Sequence, residues 1–470
     1  MKTLSMYNKN FVWIIAAIAA TGGLLFGFDT GVISGAIPFL RSDFVLSDNQ
    51  VENLTAFGLI GAVIGALICG RITDILGRRK VILASAFVFA TGALWSGFAP
   101  NIAQLLLSRL YLGLAIGVSS FATPLYIAEV SPTKIRGTLV SMFQLLITVG
   151  ILAAYMSDSY FADNNNPESW RPMFYVGVIP AIILFVGMSF LPETPRWLMG
   201  KGRDNEARRV LSRTEDPALI DQAIENMKKD IQQDAEQMHW TEIFKPWLFN
   251  AMIIAVGIMF FQQFVGINTV IYYSPEIFLK AGFEGNQAAI AASVSVGVVN
   301  VLFTILSLFL IDKLGRRKLF FIGTTGIFFS LLLIGFCFAF SELLGDYTKI
   351  VLVACMLCYI AFFAISLGPL GWLIISEVFP LKVRGLGSSI GSLANWGFNT
   401  LVVWTFFKMI DGFNSLFGKE EMGTASAFWV FAAVAIIALI WGYFFIPETK
   451  GVSLEKIEEH WRKGGSPRKL

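Results

Sequence analysis

Charge is what this sequence has least of: only 15% of its 470 residues are charged, whereas 55% are hydrophobic. That balance cannot clothe a soluble globule of this length and places the chain in a membrane. Histidine is nearly absent. His239 and His460 fall in a polar central stretch and in the C-terminal tail, which excludes a histidine relay through the apolar interior. The four cysteines, Cys69, Cys337, Cys355 and Cys358, all sit inside apolar runs and build no disulfide framework. Cys355 and Cys358 form a C-x-x-C, but no histidine or further cysteine stands beside it to complete a metal or redox site. The formal net charge of +3 is too small to mark a nucleic-acid binder. No nucleic-acid partner, cofactor or metal is expected.

What the chain has in abundance is long apolar runs. Stretches long enough to cross a bilayer recur near 11–39, 52–76, 81–99, 103–130, 137–160 and 170–191, and again near 248–275, 288–312, 318–341, 349–377, 385–411 and 424–446. The reading is an all-α membrane protein with twelve spans in two sets of six. The first run follows a basic flank, as in a signal peptide, but it is too long for one and is read as a retained span. The expected division is a first half at 1–200, a linker of short charged helices at 201–245, a second half at 246–448 and a tail at 449–470.

Basic residues set the orientation, because Lys and Arg are retained on the cytoplasmic side. Arg71, Arg78, Arg79 and Lys80 follow span 2; Lys134 and Arg136 follow span 4; Lys313, Arg316, Arg317 and Lys318 follow span 8; Lys382 and Arg384 follow span 10. Of the alternate loops, the one after span 3 has none and the others about one each, as Arg41, Arg171, Lys280, Lys349 and Lys419. Both termini are therefore expected in the cytoplasm.

The halves repeat in sequence. "GRITDILGRRK" at 70–80 is answered by "IDKLGRRK" at 311–318, "EVSPTKIRG" at 129–137 by "EVFPLKVRG" at 377–385, and "PETPRW" at 192–197 by "PETKG" at 447–451. Three matched segments in the same order mark a duplicated six-helix unit. With these doubled motifs, "QQFVGINTVIYY" at 262–273 and "GPLGW" at 368–372, the whole chain resembles the sugar porter branch of the major facilitator superfamily. Among its members it looks most similar to bacterial proton-coupled symporters for pentoses and hexoses. The resemblance implies the major facilitator fold, a monosaccharide and a proton as substrates, and no enzymatic activity. A monomer in the bilayer of a bacterial inner membrane is expected.

Asp29 and Arg109 are read as the only charged side chains deep in the apolar segments, and they are of opposite sign. An ionisable group inside hydrocarbon is kept where it is paired, hydrated or used in a proton or ion path. The resembled symporters carry Asp at this place in "GLLFGFDTGVISG", whereas many facilitators carry Asn, so the pair is expected to couple the proton. A facilitator working without a proton shares the fold and is the competing reading.

A sugar presents hydroxyls that amides match and an apolar ring face that an aromatic matches. The expected contacts are Gln144 in span 5, Gln262, Gln263, Asn268 and Tyr272 in span 7, Asn300 in span 8, Gly368 and Trp372 in span 10, and Asn395 in span 11, with Phe26 and Phe28 beside them. Gln262 and Asn268 do not share one helical face, so a break near Gly266 is expected. The charged ends are read as a cytoplasmic gate. Its residues are Asp74, Arg78, Arg79, Glu129 and Arg136, with Asp312, Arg316, Arg317, Glu377 and Arg384 as counterparts; Glu193, Arg196 and Glu448 dock surface helices on it.

Overall fold

A computed structural model describes residues 9–132, 135–235, 245–380, 383–452 and 454–470. Lys134, Lys382, His239 and the last part of the linker lie outside the described residues, as does the side chain of Arg384. The described residues form helices joined by turns and short links, with no strand among them.

Among the described residues eleven helices or runs of consecutive helices are long and apolar enough to cross a membrane: Asn10–Phe44, Asp48–Leu76, Arg78–Phe98, Ile102–Val130, Arg136–Phe161 and Pro167–Phe190, then Pro246–Lys280, Asn286–Leu314, Arg316–Ala339, Thr348–Val378 and Glu421–Phe445. The remaining long helix, Arg384–Phe417, has 34 residues and supplies span 11. Its apolar character is diluted by Gly385, Gly387, Ser388, Ser389, Gly391, Ser392, Asn395 and Asn399, so length and not hydropathy identifies it as a span. In order these are spans 1 to 12.

Spans 7 and 10 are interrupted. Span 7 consists of Phe249–Phe264 and Ile267–Lys280, joined through Gly266 at φ 86 and ψ 19. That left-handed conformation is open to glycine at little cost, and it swings the second half-helix away from the first. Span 10 consists of Thr348–Ile365 and Leu367–Val378, joined through Ser366. Pro369 follows the joint and cannot donate a hydrogen bond back across it.

By contacts the chain forms two compact units. The first comprises Met1–Asp29, Ile60–Ile151 and Arg171–Met238; the second comprises Thr30–Leu59, Leu152–Trp170 and His239–Leu470. In the first, span 3 packs on spans 4 and 6; in the second, span 9 packs on spans 10 and 12. These are equivalent pairings six spans apart. The later part of span 1, the start of span 2 and the end of span 5 belong to the second unit, so the boundary cuts across the sequence repeat. The short helices Asp204–Thr214 and Ile220–Ala235 join Pro195–Gly200 over a small core of Leu198, Met199, Ala207 and Val210. The tail helix Leu454–Arg462 buries Trp461, whose indole donates to the Val378 carbonyl at 2.9 Å.

Span 1 approaches span 5 through Gly27: a Cβ there would overlap the Ile147 carbonyl. Close backbone approach through small residues is how membrane helices gain packing energy where lipid supplies no hydrophobic drive. Gly27→Ala is expected to destabilise the purified protein by about 1–3 kcal/mol through overpacking, read as a lower melting temperature in detergent. Gly137→Ala, where nothing lies within 4 Å of the added carbon, serves as the neutral control. Equal melting of the two variants would remove Gly27 as a packing determinant.

Candidate functional site

Asp29 of span 1 and Arg109 of span 4 meet inside the first unit. Arg109 Nη1 and Nη2 donate to Asp29 Oδ1 and Oδ2 at 2.5 and 2.9 Å. The arrangement is bidentate, and the two residues are 4% and 2% exposed. Arg109 Nε is buried without a hydrogen-bond partner. A buried ion pair is a weak device for stability, since desolvation offsets most of its attraction. A pair that can trade the arginine for a proton is better suited to switching.

The polar groups of span 7 form a chain within the second unit. Asn268 Nδ2 donates to Gln263 Oε1 at 2.7 Å, Gln263 Nε2 to Gln262 Oε1 at 3.2 Å, and Asn395 Nδ2 of span 11 to that same Gln262 Oε1 at 2.6 Å. Gln262 Nε2 donates onward to the Leu367 and Gly368 carbonyls beside the break in span 10, at 2.8 and 3.1 Å. The break in span 7 is held in the same way: Tyr359 Oη donates to the Val265 carbonyl at 2.8 Å. One amide chain therefore joins both broken spans and span 11.

The structure thus brings together Gln262, Gln263, Asn268, Gly368 and Asn395. Asn300 and Tyr272 are buried in the same unit, at 7% and 4% exposure. Trp372 lies one residue beyond Gly371, which faces Gln262 Nε2, and its ring is exposed. Gln144 is partly buried in the first unit. Asn399 Oδ1, four residues after Asn395, is buried with no hydrogen-bond partner among the described residues. Phe28 packs beside Gly177, and Phe26 is partly buried.

The charged helix ends show the duplication atom by atom. In the first unit Arg78 pairs with Asp74 at 3.0 Å and with Glu129 at 3.2 Å. Glu193 accepts the backbone amide of Arg79 on both oxygens at 3.1 Å, capping the start of span 3, while the Arg79 guanidinium donates to the Met188 and Ser189 carbonyls at 3.0 and 2.5 Å. In the second unit Arg316 pairs with Glu377 at 2.7 Å and stands 3.8 Å from Asp312. Glu448 accepts the amides of Arg316 and Arg317 at 3.0 and 3.1 Å, and the Arg317 guanidinium donates to the Tyr443 and Ile446 carbonyls at 2.8 and 2.5 Å.

The two arginines of each GRR play different parts. The structure divides them: the first arginine of each GRR holds a carboxylate, and the second holds the closing carbonyls of span 6 or span 12. A carboxylate at a helix N-terminus meets unpaired amides and the positive end of the helix dipole. Burial pushes the Glu193 carboxyl above its usual value, against the pull of the Thr194 and Arg79 amides. Arg136 is exposed and Arg196 partly buried.

A set of buried carboxylates escaped the sequence reading, which allowed one deep carboxylate. Glu52 and Asp158 are 0% exposed and Glu276 is 8% exposed. Glu52 Oε1 accepts the Phe407 and Lys408 amides of span 11 at 2.7 and 3.0 Å, and its other oxygen lies 2.9 Å from Lys408 Nζ. Arg41 bridges Asp48 at 2.6 Å and Glu276 at 3.2 Å. Tyr273 Oη lies 2.7 Å from Thr55 Oγ1. All lie near span ends, where sequence suggests exposure, and tertiary packing covers them. Among the described residues no group of three or more acidic, histidine or cysteine side chains could hold a metal ion.

The family model described as "Sugar (and other) transporter" matches residues 15–461. A glucose transporter of Staphylococcus epidermidis is 40% identical, over 97% of this chain and 98% of its own. A galactose-proton symporter of Escherichia coli strain K12 is 37% identical, over 98% and 97%. A solved proton:xylose symporter of the major facilitator superfamily, bound to 6-bromo-6-deoxy-D-glucose, superposes with a TM-score of 0.80 at 32% identity, over 97% of this chain and 100% of its own.

Gln262→Leu keeps the side chain's bulk but removes the donor to two buried carbonyls and the acceptor for Asn395 and Gln263. Leaving buried polar groups unpaired costs about 1–3 kcal/mol, so the variant should melt earlier than the parent in detergent. An unchanged melting temperature would show that the chain of amides does not hold the broken spans together.

Proposed function

The chain belongs to the sugar transporter family, and from that membership, together with the buried Asp29–Arg109 pair, we infer that it carries a monosaccharide, a pentose or hexose, inward with a proton by alternating access. It is a transporter and not an enzyme. The ion pair is the observation that carries the coupling. Asp29 takes a proton from outside and releases Arg109; sugar binds; the chain converts to its inward state; sugar leaves and Asp29 returns its proton inside, where the pair reforms. Each step shifts a population only as far as the proton or sugar binds one state better than the other.

Sugar is held mainly by the second half. Gln262, Gln263, Asn268 and Asn395 offer hydroxyl partners, with Gln144, Tyr272, Asn300 and the Gly368 backbone as further contacts and Trp372 as the ring platform. The amides hydrogen-bond one another, so sugar hydroxyls exchange for existing bonds and leave no buried group unpaired. The Arg78–Glu129 and Arg316–Glu377 pairs, with Asp74, Arg79, Arg136, Glu193, Arg196, Asp312, Arg317, Arg384 and Glu448 around them, form the cytoplasmic gate. Their repetition in acid and base type supports that role. The protein works as a monomer in a bacterial inner membrane with both termini in the cytoplasm, as two repeats at 1–200 and 246–448, a linker at 201–245 and a tail at 449–470.

In proteoliposomes, Asp29→Asn should abolish sugar accumulation against a gradient and the alkalinisation that accompanies uptake, while leaving counterflow exchange. Accumulation by the variant would take the coupling away from Asp29, and absence of accumulation in the parent would make the protein an uncoupled facilitator.

A second test concerns the gate. The Arg78–Glu129 and Arg316–Glu377 side chains are at most 20% exposed, and removing one partner of a largely buried pair destabilises the state in which it forms, so Glu129→Gln with Glu377→Gln should raise thiol labelling of cysteines placed at the cytoplasmic end of the solute path more than either change alone. Altered expression with unchanged labelling would make these residues topological anchors only.

A further inference from the structure

Asp158 sits near the end of span 5, fully buried, and among the described residues neither carboxylate oxygen makes a side-chain hydrogen bond or an ion pair; the Gly35 backbone is the polar group set against it. Its side chain lies on the bare Cα of Gly35 in span 1. A Cβ added to Gly35 would fall 2.5 and 2.6 Å from Asp158 Cβ and Cγ, so the glycine makes room for the acid. One turn earlier on span 5, Tyr155 is also fully buried and donates its hydroxyl to the Ile271 carbonyl of span 7 at 2.7 Å. Span 8 closes the other side, where Gly297 meets Leu152 and Tyr155.

The groups that face Asp158 are neutral. Span 5 presents Tyr155, span 1 presents Ser34 and the Gly35 backbone, span 7 presents Tyr272 behind Tyr155, and span 8 presents Gly297. No ion pair reaches Asp158 among the described residues, and no cation acts on it. Asp29 has Arg109, Glu276 has Arg41 and Glu52 has Lys408. Asp158 has no such partner.

An ionised carboxylate taken out of water without a counter-ion or hydrogen bonds is strongly disfavoured, and it escapes by binding a proton or by regaining water. We propose that Asp158 is a second proton-binding group of this transporter, one that holds a proton while spans 1, 5, 7 and 8 are packed around it and releases it when that packing opens to water. The proposal rests on reading the chain as a transporter whose outer side opens and closes. Packing takes up one proton, so acid favours the packed state and alkali favours the open one. The proton enters and leaves by the opening that exposes the acid. Asp158 therefore makes closure of this end respond to outside pH, and the transported proton remains with Asp29.

The test places a reporter in the packed layer of the full-length chain. Ser34→Cys is close in size and fully buried. With the four native cysteines replaced, its reaction with a membrane-impermeant maleimide is followed between about pH 5.5 and 8.5, a window around the ordinary histidine and thiol range. Each rate is normalised to the denatured protein at the same pH. With Asp158 present, normalised labelling should rise severalfold towards alkaline pH. With Asp158→Asn, a mimic of the protonated acid, it should stay low and flat, whereas Asp29→Asn should keep the rise. The same pH dependence with and without Asp158 would overturn the proposal, as would its loss in Asp29→Asn alone.

Should Asp158→Asn fail to fold, unmodified protein treated with a hydrophobic carbodiimide gives the answer by mass spectrometry. A protonated Asp158 forms an adduct that fades as the pH rises, and the lack of an adduct in acid sinks the proposal. Failure of proton coupling itself would appear in sugar accumulation and not in this labelling.

Discussion

Hydrocarbon offers no hydrogen bonds, so every backbone group freed where a span breaks must find its partner inside the protein. The second unit is organised around that requirement. Gly266 and Ser366 break spans 7 and 10, and the carbonyls near the breaks are taken by Gln262 and Tyr359. One of the residues that meet this demand, Gln262, belongs to the chain of amides proposed to take the sugar's hydroxyls. On the proposed function, structure and recognition would use one set of atoms, and a solute entering the network would exchange with bonds already present.

The same constraint explains the charged motifs. A helix that starts at the membrane surface leaves its first amides unpaired, and one that ends there leaves its last carbonyls. Glu193 and Glu448 answer the first need for spans 3 and 9, and Arg79 and Arg317 answer the second for spans 6 and 12. Once these termini are fixed, Arg78 and Arg316 are held where each meets a carboxylate of the following repeat motif, Glu129 or Glu377. The proposed gate would inherit its geometry from helix capping, which recurs at equivalent places in both repeats.

Buried carboxylates fall into two kinds. Asp29, Glu52 and Glu276 each meet a cation, and Glu52 also meets two backbone amides. Asp158 meets no cation. Paired acids can stay ionised in place, whereas an unpaired one ties its ionisation to local opening. This difference is the basis for proposing Asp29 as the coupling acid, which exchanges one partner for another, and Asp158 as an acid that responds to whether its surroundings are packed.

Much of this was legible in the sequence. Run length and composition place the spans, since a bilayer imposes its thickness on the chain. The three doubled motifs declare the repeat, and the mismatch of faces between Gln262 and Asn268 calls for the break at Gly266. Asp29 and Arg109 stand out because charge is so scarce in apolar runs. Other features depend on tertiary structure. Which arginine of each GRR takes a carboxylate depends on where span 6 or span 12 ends in space. That Gln262 serves the break in span 10 depends on residues about a hundred positions away. Glu52, Glu276 and Asp158 read as span-end residues because burial comes from other helices packed over them. Sequence thus determined what must lie in the membrane and what is repeated, through local length and polarity; only the packing of distant helices decided which polar groups are paired, because pairing requires two atoms to meet.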